Sequence, residues 1–168
     1  MPLHMDNVSL QKTYAQYGVA MYWAQEFEEA MLGLLSVLQL NRSSKVTRAR
    51  LQVILQRHDR KTLGQLLNKV TEEGLLDGAT LKTFDAALDA RNLLAHGFFR
   101  RMRSALENED EFKQIAEVLS EYISVFKRAE HQALITATAI GLVLGVAGGE
   151  NPSSIPNWPF RKSLDEVF

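Results

Sequence analysis

The sequence predicts an all-α fold, a single-domain bundle of about five helices of which three are long and two short. Apolar residues recur at intervals of three and four in three long segments, which is the period of an α-helix. No segment keeps the alternation of apolar and polar residues that a half-buried strand shows. At 168 residues, with 46% of positions apolar, the chain has the size of one domain whose core needs no covalent support.

The first long helix is predicted from apolar residues that step by threes and fours over residues 20–38. Three glutamates, Glu26, Glu28 and Glu29, fall on the opposite face. A polar break at residues 41–44 ends this helix, and Ser44 is a suitable N-cap for a short second helix that reaches about residue 57. A short third helix follows, with Thr62 as its predicted N-cap and a stop at Gly74. Its predicted buried edge consists of Leu63, Leu66, Leu67 and Val70.

The second long helix is predicted to start near Thr80 and to reach Gly97 and the arginines that follow it. Its apolar stripe comprises Leu81, Phe84, Ala87, Leu88, Leu94, Ala95 and Phe98. The last long helix opens in the acidic residues 107–111, which favour a helix N-terminus over metal ligation, and continues in a nearly heptad seam over residues 112–126. Residues 133–147 are apolar but fall short of the ~20 residues of a membrane span, so we predict a buried helix there. The bundle is expected over residues 1–150 and an irregular, proline-containing tail over residues 151–168.

Composition excludes several classes of protein. The absence of cysteine rules out disulfide scaffolds, thiolate metal sites and cysteine nucleophiles, and it favours a cytoplasmic location. The first residues hold no basic segment followed by an apolar one, so no secretory signal is predicted. No phosphate-binding loop, dinucleotide fingerprint, hydrolase elbow or paired-histidine motif is present, and the sequence therefore implies no cofactor and no metal.

Arg91 interrupts the apolar stripe of the second long helix. On a helical wheel the apolar positions centre at about 290° from Leu81 and Arg91 falls at about 280°. A guanidinium stays protonated in proteins, so an arginine at this place needs an anion or an opening to solvent. One alternative is a structural ion pair with a carboxylate of the first helix, such as Glu26 or Glu29. The other is an anionic substrate.

A polar row lies on the neighbouring flank of the same helix. Asp85, Asp89, Asn92 and His96 are spaced by four, three and four residues. Asn92 and His96 are direct neighbours on a helix, and an amide that orients an imidazole is useful for acid–base chemistry. Arg91 and His96 differ by about 140° around an ideal helix, so they converge only near a helix end or across two facing copies. Gly97 permits such an end.

Residues 91–96, RNLLAH, resemble the R-polar-x-x-x-H signature of the HEPN superfamily, whose helical domains include metal-independent ribonucleases and the toxins of toxin–antitoxin pairs. The resemblance implies a homodimer in which two copies of the motif form one composite site on RNA. It implies that His96 moves the proton, that Arg91 holds the phosphoryl oxygens, and that Asn92 orients His96 or binds substrate. The cleavage would leave a 2′,3′-cyclic phosphate and a 5′-hydroxyl, and an antitoxin or regulatory protein is a possible partner.

Basic residues near the motif fit an RNA substrate. Arg100, Arg101 and Arg103 follow His96 and are expected to contact the RNA backbone, whereas the basic residues of segment 41–61 are expected to form a solvated helix face. Two alternatives stay open on the sequence. One is a catalytically inactive HEPN-like module that dimerises or binds a partner protein or nucleotide. The other is a structural adaptor in which Arg91 is ion-paired and His96 only interacts with the carbonyls at a helix end.

Overall fold

The computed structural model describes residues 7–41, 48–58, 60–105 and 109–143, which form five α-helices and their connections. Three helices are long and two are short, and no strand occurs within these ranges. The helices are α1 Asn7–Asn41, α2 Arg48–His58, α3 Leu63–Glu72, α4 Gly78–Ala105 and α5 Glu109–Val143. The predicted all-α helical bundle is therefore confirmed. The predicted cap Ser44 and the predicted tail, residues 151–168, lie outside the described residues.

The three long helices and α3 together form the core. Helix α5 packs most extensively on α1 and next on α4, while α2 and α3 pack against α1. Phe27 of α1, Phe84 of α4 and Phe126 of α5 are fully buried. The rings of Phe27 and Phe84 lie 5.5 Å apart, and those of Tyr17 and Phe98 lie 4.4 Å apart. Positions further along α1 thus contact positions earlier in α4, so these two helices run antiparallel.

Helix α3 follows the sequence prediction closely. Thr62 is its N-cap: the Gln65 backbone N–H donates to Thr62 Oγ1 at 3.4 Å, and the Thr62 N–H donates to Gln65 Oε1 at 3.0 Å. This reciprocal pair is a capping box. The four predicted apolar residues form its buried edge. Gly74 follows the helix with a φ of 68°, a left-handed conformation that glycine adopts without strain, so the predicted stop is confirmed.

Helix α4 covers the predicted span, but its buried stripe differs from the predicted one. It begins at Gly78, capped by Asp77, whose Oδ1 accepts the Thr80 N–H at 2.7 Å. It passes Gly97 and the arginines as predicted and continues to Ala105, so the helix end that Gly97 would permit does not occur there. Its buried stripe includes residues that the prediction left out. The centre of the stripe therefore lies about 45° around the helix axis from the predicted position, and Ala95 is exposed. The buried residues of α4 that follow Thr80 are Phe84, Ala87, Ala90, Leu94, Phe98, Met102 and Ala105.

Helix α5 covers the predicted seam and much of the apolar segment after it. Phe112, Leu119 and Phe126 are buried in the core that α5 shares with α1 and α4. The predicted buried helix over 133–147 is described as far as residue 143, and Ala133 and Ala137 belong to the core there. Among the described residues, no helix is both long and apolar enough to cross a membrane.

Candidate functional site

Helix α4 carries the residues on which the sequence analysis depends, but it does not bring all of them together. Arg91 is half-buried, whereas Asn92 and His96 are exposed. Because α4 is continuous past Gly97, Arg91 and His96 stay about 140° apart around its axis. Helix α4 does not end near Gly97, so the two side chains do not converge within one chain. A site that uses both residues therefore requires a second copy.

Arg91 faces helix α1. Its Nη2 atom lies 3.9 Å from Glu28 Oε2, and the two side chains are 28% and 30% exposed. This distance is too long for a hydrogen bond, and an ion pair of this kind near the surface stabilises a protein by about 1 kcal/mol or less. One alternative predicted from the sequence is a structural ion pair between Arg91 and a carboxylate of the first helix, such as Glu26 or Glu29. The structure places Glu28 there instead.

The carboxylates of α1 form an acidic cluster, which we define as Glu26, Glu28 and Glu29. Burial raises the pKa of the Glu29 carboxyl, and the negative charges of Glu26 and Glu28 raise that pKa further. Burial likewise raises the pKa of the nearby Tyr22 phenol, with Glu26 adding to the shift. The sequence predicts these glutamates on the face of the first helix opposite its apolar stripe. Of the three, Glu28 is the one that the structure places beside Arg91, at 3.9 Å.

The acidic cluster predicts a pH-dependent stability. A carboxyl whose pKa is raised by folding destabilises the folded state above that pKa, and the effect vanishes below its ordinary pKa, where both states are protonated. Glu29→Gln should therefore raise the melting temperature at pH 7.5 by about 1–2 °C, which corresponds to roughly 0.5 kcal/mol of relieved burial cost and repulsion. At about pH 3, more than one pH unit below the ordinary pKa of a glutamate, it should have no effect. Thermal unfolding at both pH values tests this. The exposed Glu117→Gln is the control, and an equal rise in that variant would contradict the explanation.

His96 lies on the outer face of α4. The predicted polar row is present there, since Asp85, Asp89, Asn92 and His96 are all exposed. Within the described part of the chain, neither Asn92 nor His96 has a hydrogen-bond partner, so the amide does not orient the imidazole as expected. The imidazole of His96 is therefore open to donate to, or accept a proton from, an external molecule.

The three arginines after His96 point in different directions. Arg100 follows His96 by one turn and Arg103 follows Arg100 by three residues, so both share its exposed flank. Arg101 is turned about 100° from Arg100. It lines a cleft of about 440 Å³ between α4 and α5 together with Phe98 and Tyr122. Neither Arg91 nor His96 lines this cleft.

The basic residues of segment 41–61 lie far from His96 where the structure describes them. His58 ends α2 and its Nε2 lies 2.9 Å from Gln39 Oε1, near the end of α1. Tyr17, which contacts α4 beside Phe98, is 22 residues earlier in α1, and this separates the two places by roughly 33 Å. Burial lowers the pKa of His58, and Lys61 and Arg57 lower that pKa further, so this histidine is a neutral packing residue.

Phe99 is a residue that the sequence analysis did not select. Its side chain is 55% exposed, and its ring centre lies 5.2 Å from that of Tyr17. The signal available in the sequence is the pair of phenylalanines directly after Gly97, of which only one can face the core of a helix.

The outer face of α4 thus combines an imidazole with no partner among the described residues, two exposed guanidinium groups and an exposed aromatic ring. An imidazole transfers protons near neutral pH, and guanidinium groups bind phosphate. Within the described residues, no group of three histidine or carboxylate side chains is placed to hold a metal ion. Comparison of this chain with protein-family models, curated proteins and solved structures finds no match.

Proposed function

We propose that the chain is a metal-independent endoribonuclease of the HEPN type that acts as a homodimer. The observation that carries this proposal is the exposed, unpaired His96 beside Arg100 and Arg103 on one face of α4. RNA carries its own nucleophile, the 2′-hydroxyl, so cleavage needs a proton-transfer group and positive charge on the phosphate. The outer face of α4 offers both.

Each residue has a distinct role in the proposed reaction. His96 accepts the proton of the 2′-hydroxyl, whose oxygen attacks the phosphorus, and a protonated imidazole donates to the leaving 5′-oxygen as its bond to phosphorus breaks. The products are a 2′,3′-cyclic phosphate and a 5′-hydroxyl. Arg91 of a second copy holds the phosphoryl oxygens, because the Arg91 of the same chain points away from His96. Asn92, beside His96, binds the substrate. Cleavage of cellular RNA is harmful when unrestrained, so the proposal includes a regulatory or antitoxin protein that binds the dimer.

The wild-type protein provides the first test. Purified full-length chain should cleave single-stranded RNA in the presence of EDTA and should leave fragments with a 2′,3′-cyclic phosphate, which mass spectrometry identifies. Sedimentation should show a dimer. Intact RNA after incubation, cleavage only after a divalent metal is added, or a strictly monomeric active protein would each contradict the proposal.

A second candidate function has its own support in the Arg91–Glu28 ion pair. Since Arg91 already has a carboxylate of its own chain at 3.9 Å, its placement has a structural reason that needs no RNA. In this candidate the chain is a non-catalytic HEPN-like module that dimerises or binds a partner protein or nucleotide. The same experiment separates the two functions, because such a module would sediment as a dimer and cleave nothing.

A further inference from the structure

The second half of α4 carries an exposed aromatic residue among basic ones. We define the α4 patch as His96, Phe99, Arg100 and Arg103. Positions three and four apart are neighbours on a helix, so Phe99 adjoins His96 on one side and Arg103 on the other, and Arg100 adjoins His96. All four side chains are exposed.

The Phe99 ring is held in place from behind. Its centre lies 5.2 Å from that of Tyr17 on α1, at an interplanar angle of 56°, and 5.3 Å from that of Phe98, nearly edge-on. The Tyr17 and Phe98 rings are themselves stacked at 4.4 Å, and Phe98 is buried. Phe99 is therefore an aromatic surface on a rigid support, with 55% of its area left in water. Leaving a large apolar side chain so exposed costs free energy that contact with a partner would recover.

The charge around Phe99 identifies the kind of partner. Arg100 and Arg103 share the exposed face of Phe99, and residues 90–105 of α4 and 7–25 of α1, which contact each other beside Phe99, contain no aspartate or glutamate. Among the described residues, the nearest exposed carboxylate on the same flank of α4 is that of Asp89, two helical turns before His96. A positive surface around a flat ring fits an anion that also presents flat faces. Single-stranded RNA is such a molecule, since its unpaired bases stack on aromatic side chains and its phosphates pair with arginine.

We infer that Phe99 stacks on an unpaired base of single-stranded RNA while Arg100 and Arg103 bind the adjacent phosphates. This inference rests on the proposed ribonuclease function and adds a base-binding residue to it. Phe99 lies about one turn of α4 from His96, so the stacked base belongs to a nucleotide close to the cleaved bond. The enzyme therefore selects RNA that is unpaired beside that bond. Duplex RNA keeps its bases inside the helix and cannot offer one to Phe99.

Binding to an uncleavable RNA tests the inference apart from catalysis. The probe is a fluorescein-labelled 2′-O-methyl RNA of 12 nucleotides, which keeps bases and phosphates but lacks the nucleophile, and the measurement is fluorescence anisotropy with the full-length chain. Phe99→Ala should weaken binding about 5- to 150-fold, the range for loss of one stacked base. Phe99→Trp should retain the affinity, whereas Phe99→Leu, which keeps an apolar surface, should lose most of it. The control is Leu75→Ala, because Leu75 is also 55% exposed and lies outside the α4 patch.

The outcomes distinguish this inference from the proposed function. Cleavage by the wild type together with unchanged binding by Phe99→Ala overturns the stacking role and leaves the nuclease intact. Binding that depends on Phe99 without any cleavage supports the α4 patch and refutes the nuclease. No binding of the probe by the wild type overturns the inference. So does a Phe99→Ala protein that binds RNA normally but sediments as a monomer, because the α4 patch would then be an interface between copies of the chain.

Discussion

Replacing His96 with alanine is expected to lower the rate of RNA cleavage in EDTA by about 10²- to 10⁴-fold, the usual contribution of a general acid–base group. The reason is that His96 is the imidazole exposed on the outer face of α4. Because the side chain is exposed and has no partner among the described residues, its loss should leave stability nearly unchanged. The rate is measured on a labelled single-stranded RNA, and stability by thermal unfolding, where a shift within about 2 °C is expected.

The chain offers a matched control for this experiment. His131 is also an exposed histidine on a long helix, but it lies on α5 and outside the α4 patch. His131→Ala should therefore cleave RNA at the wild-type rate. Equal rates for the wild type and His96→Ala would contradict the assignment of His96. Equal losses in the two histidine variants would point to a general effect on the protein instead of a site.

The fold was predictable because its signals are local and repeated. In α3 the cap Thr62, the four-residue apolar edge and the stop at Gly74 all follow from residues within one short segment, and the structure confirms each. The long helices follow from apolar spacing over many turns, which errors at single positions do not change. A signal from a single residue is weaker than such a repeated pattern. Gly97 permits a helix end, but Met102 and Ala105 continue the apolar stripe and bury against the core, so packing keeps the helix intact.

The site was less predictable because its geometry depends on which helices meet. The wheel places Arg91 near an apolar stripe, but it cannot say that α1 runs antiparallel to α4 with Glu28 at the level of Arg91. The exposure of Phe99 has the same origin, since only the contact with Tyr17 shows which of the two phenylalanines faces outward and what supports it. The charges and the apolar period of one segment predict which face of a helix is buried. Which residues of another helix pack against that face is known only from the tertiary structure.

The arrangement of Arg91 and His96 on opposite sides of a continuous helix limits the possible mechanisms. In the proposed reaction, the α4 patch, which includes His96, binds RNA and transfers protons within one chain. Arg91 can reach the same phosphate only if a second copy presents its own Arg91–Glu28 side to the α4 patch. The ion pair is therefore the place where the two candidate functions make opposite predictions.

Arg91→Ala should lower the rate of cleavage by about 10²- to 10³-fold if its guanidinium stabilises the phosphorane, the range for loss of one such donor. Glu28→Gln should act in the opposite direction and raise cleavage up to about fivefold, because it removes a carboxylate that competes with phosphate in a pair worth about 1 kcal/mol or less. If Arg91 is only structural, Arg91→Ala should instead lower the melting temperature slightly, and neither variant should change cleavage.

The double exchange Arg91→Glu with Glu28→Arg separates these two explanations further. It restores the pair and hence the stability, but it moves the cation from α4 to α1, so cleavage should remain as low as in Arg91→Ala. Full cleavage by the double variant would show that the ion pair only stabilises the fold. Arg91 would then have no role on RNA.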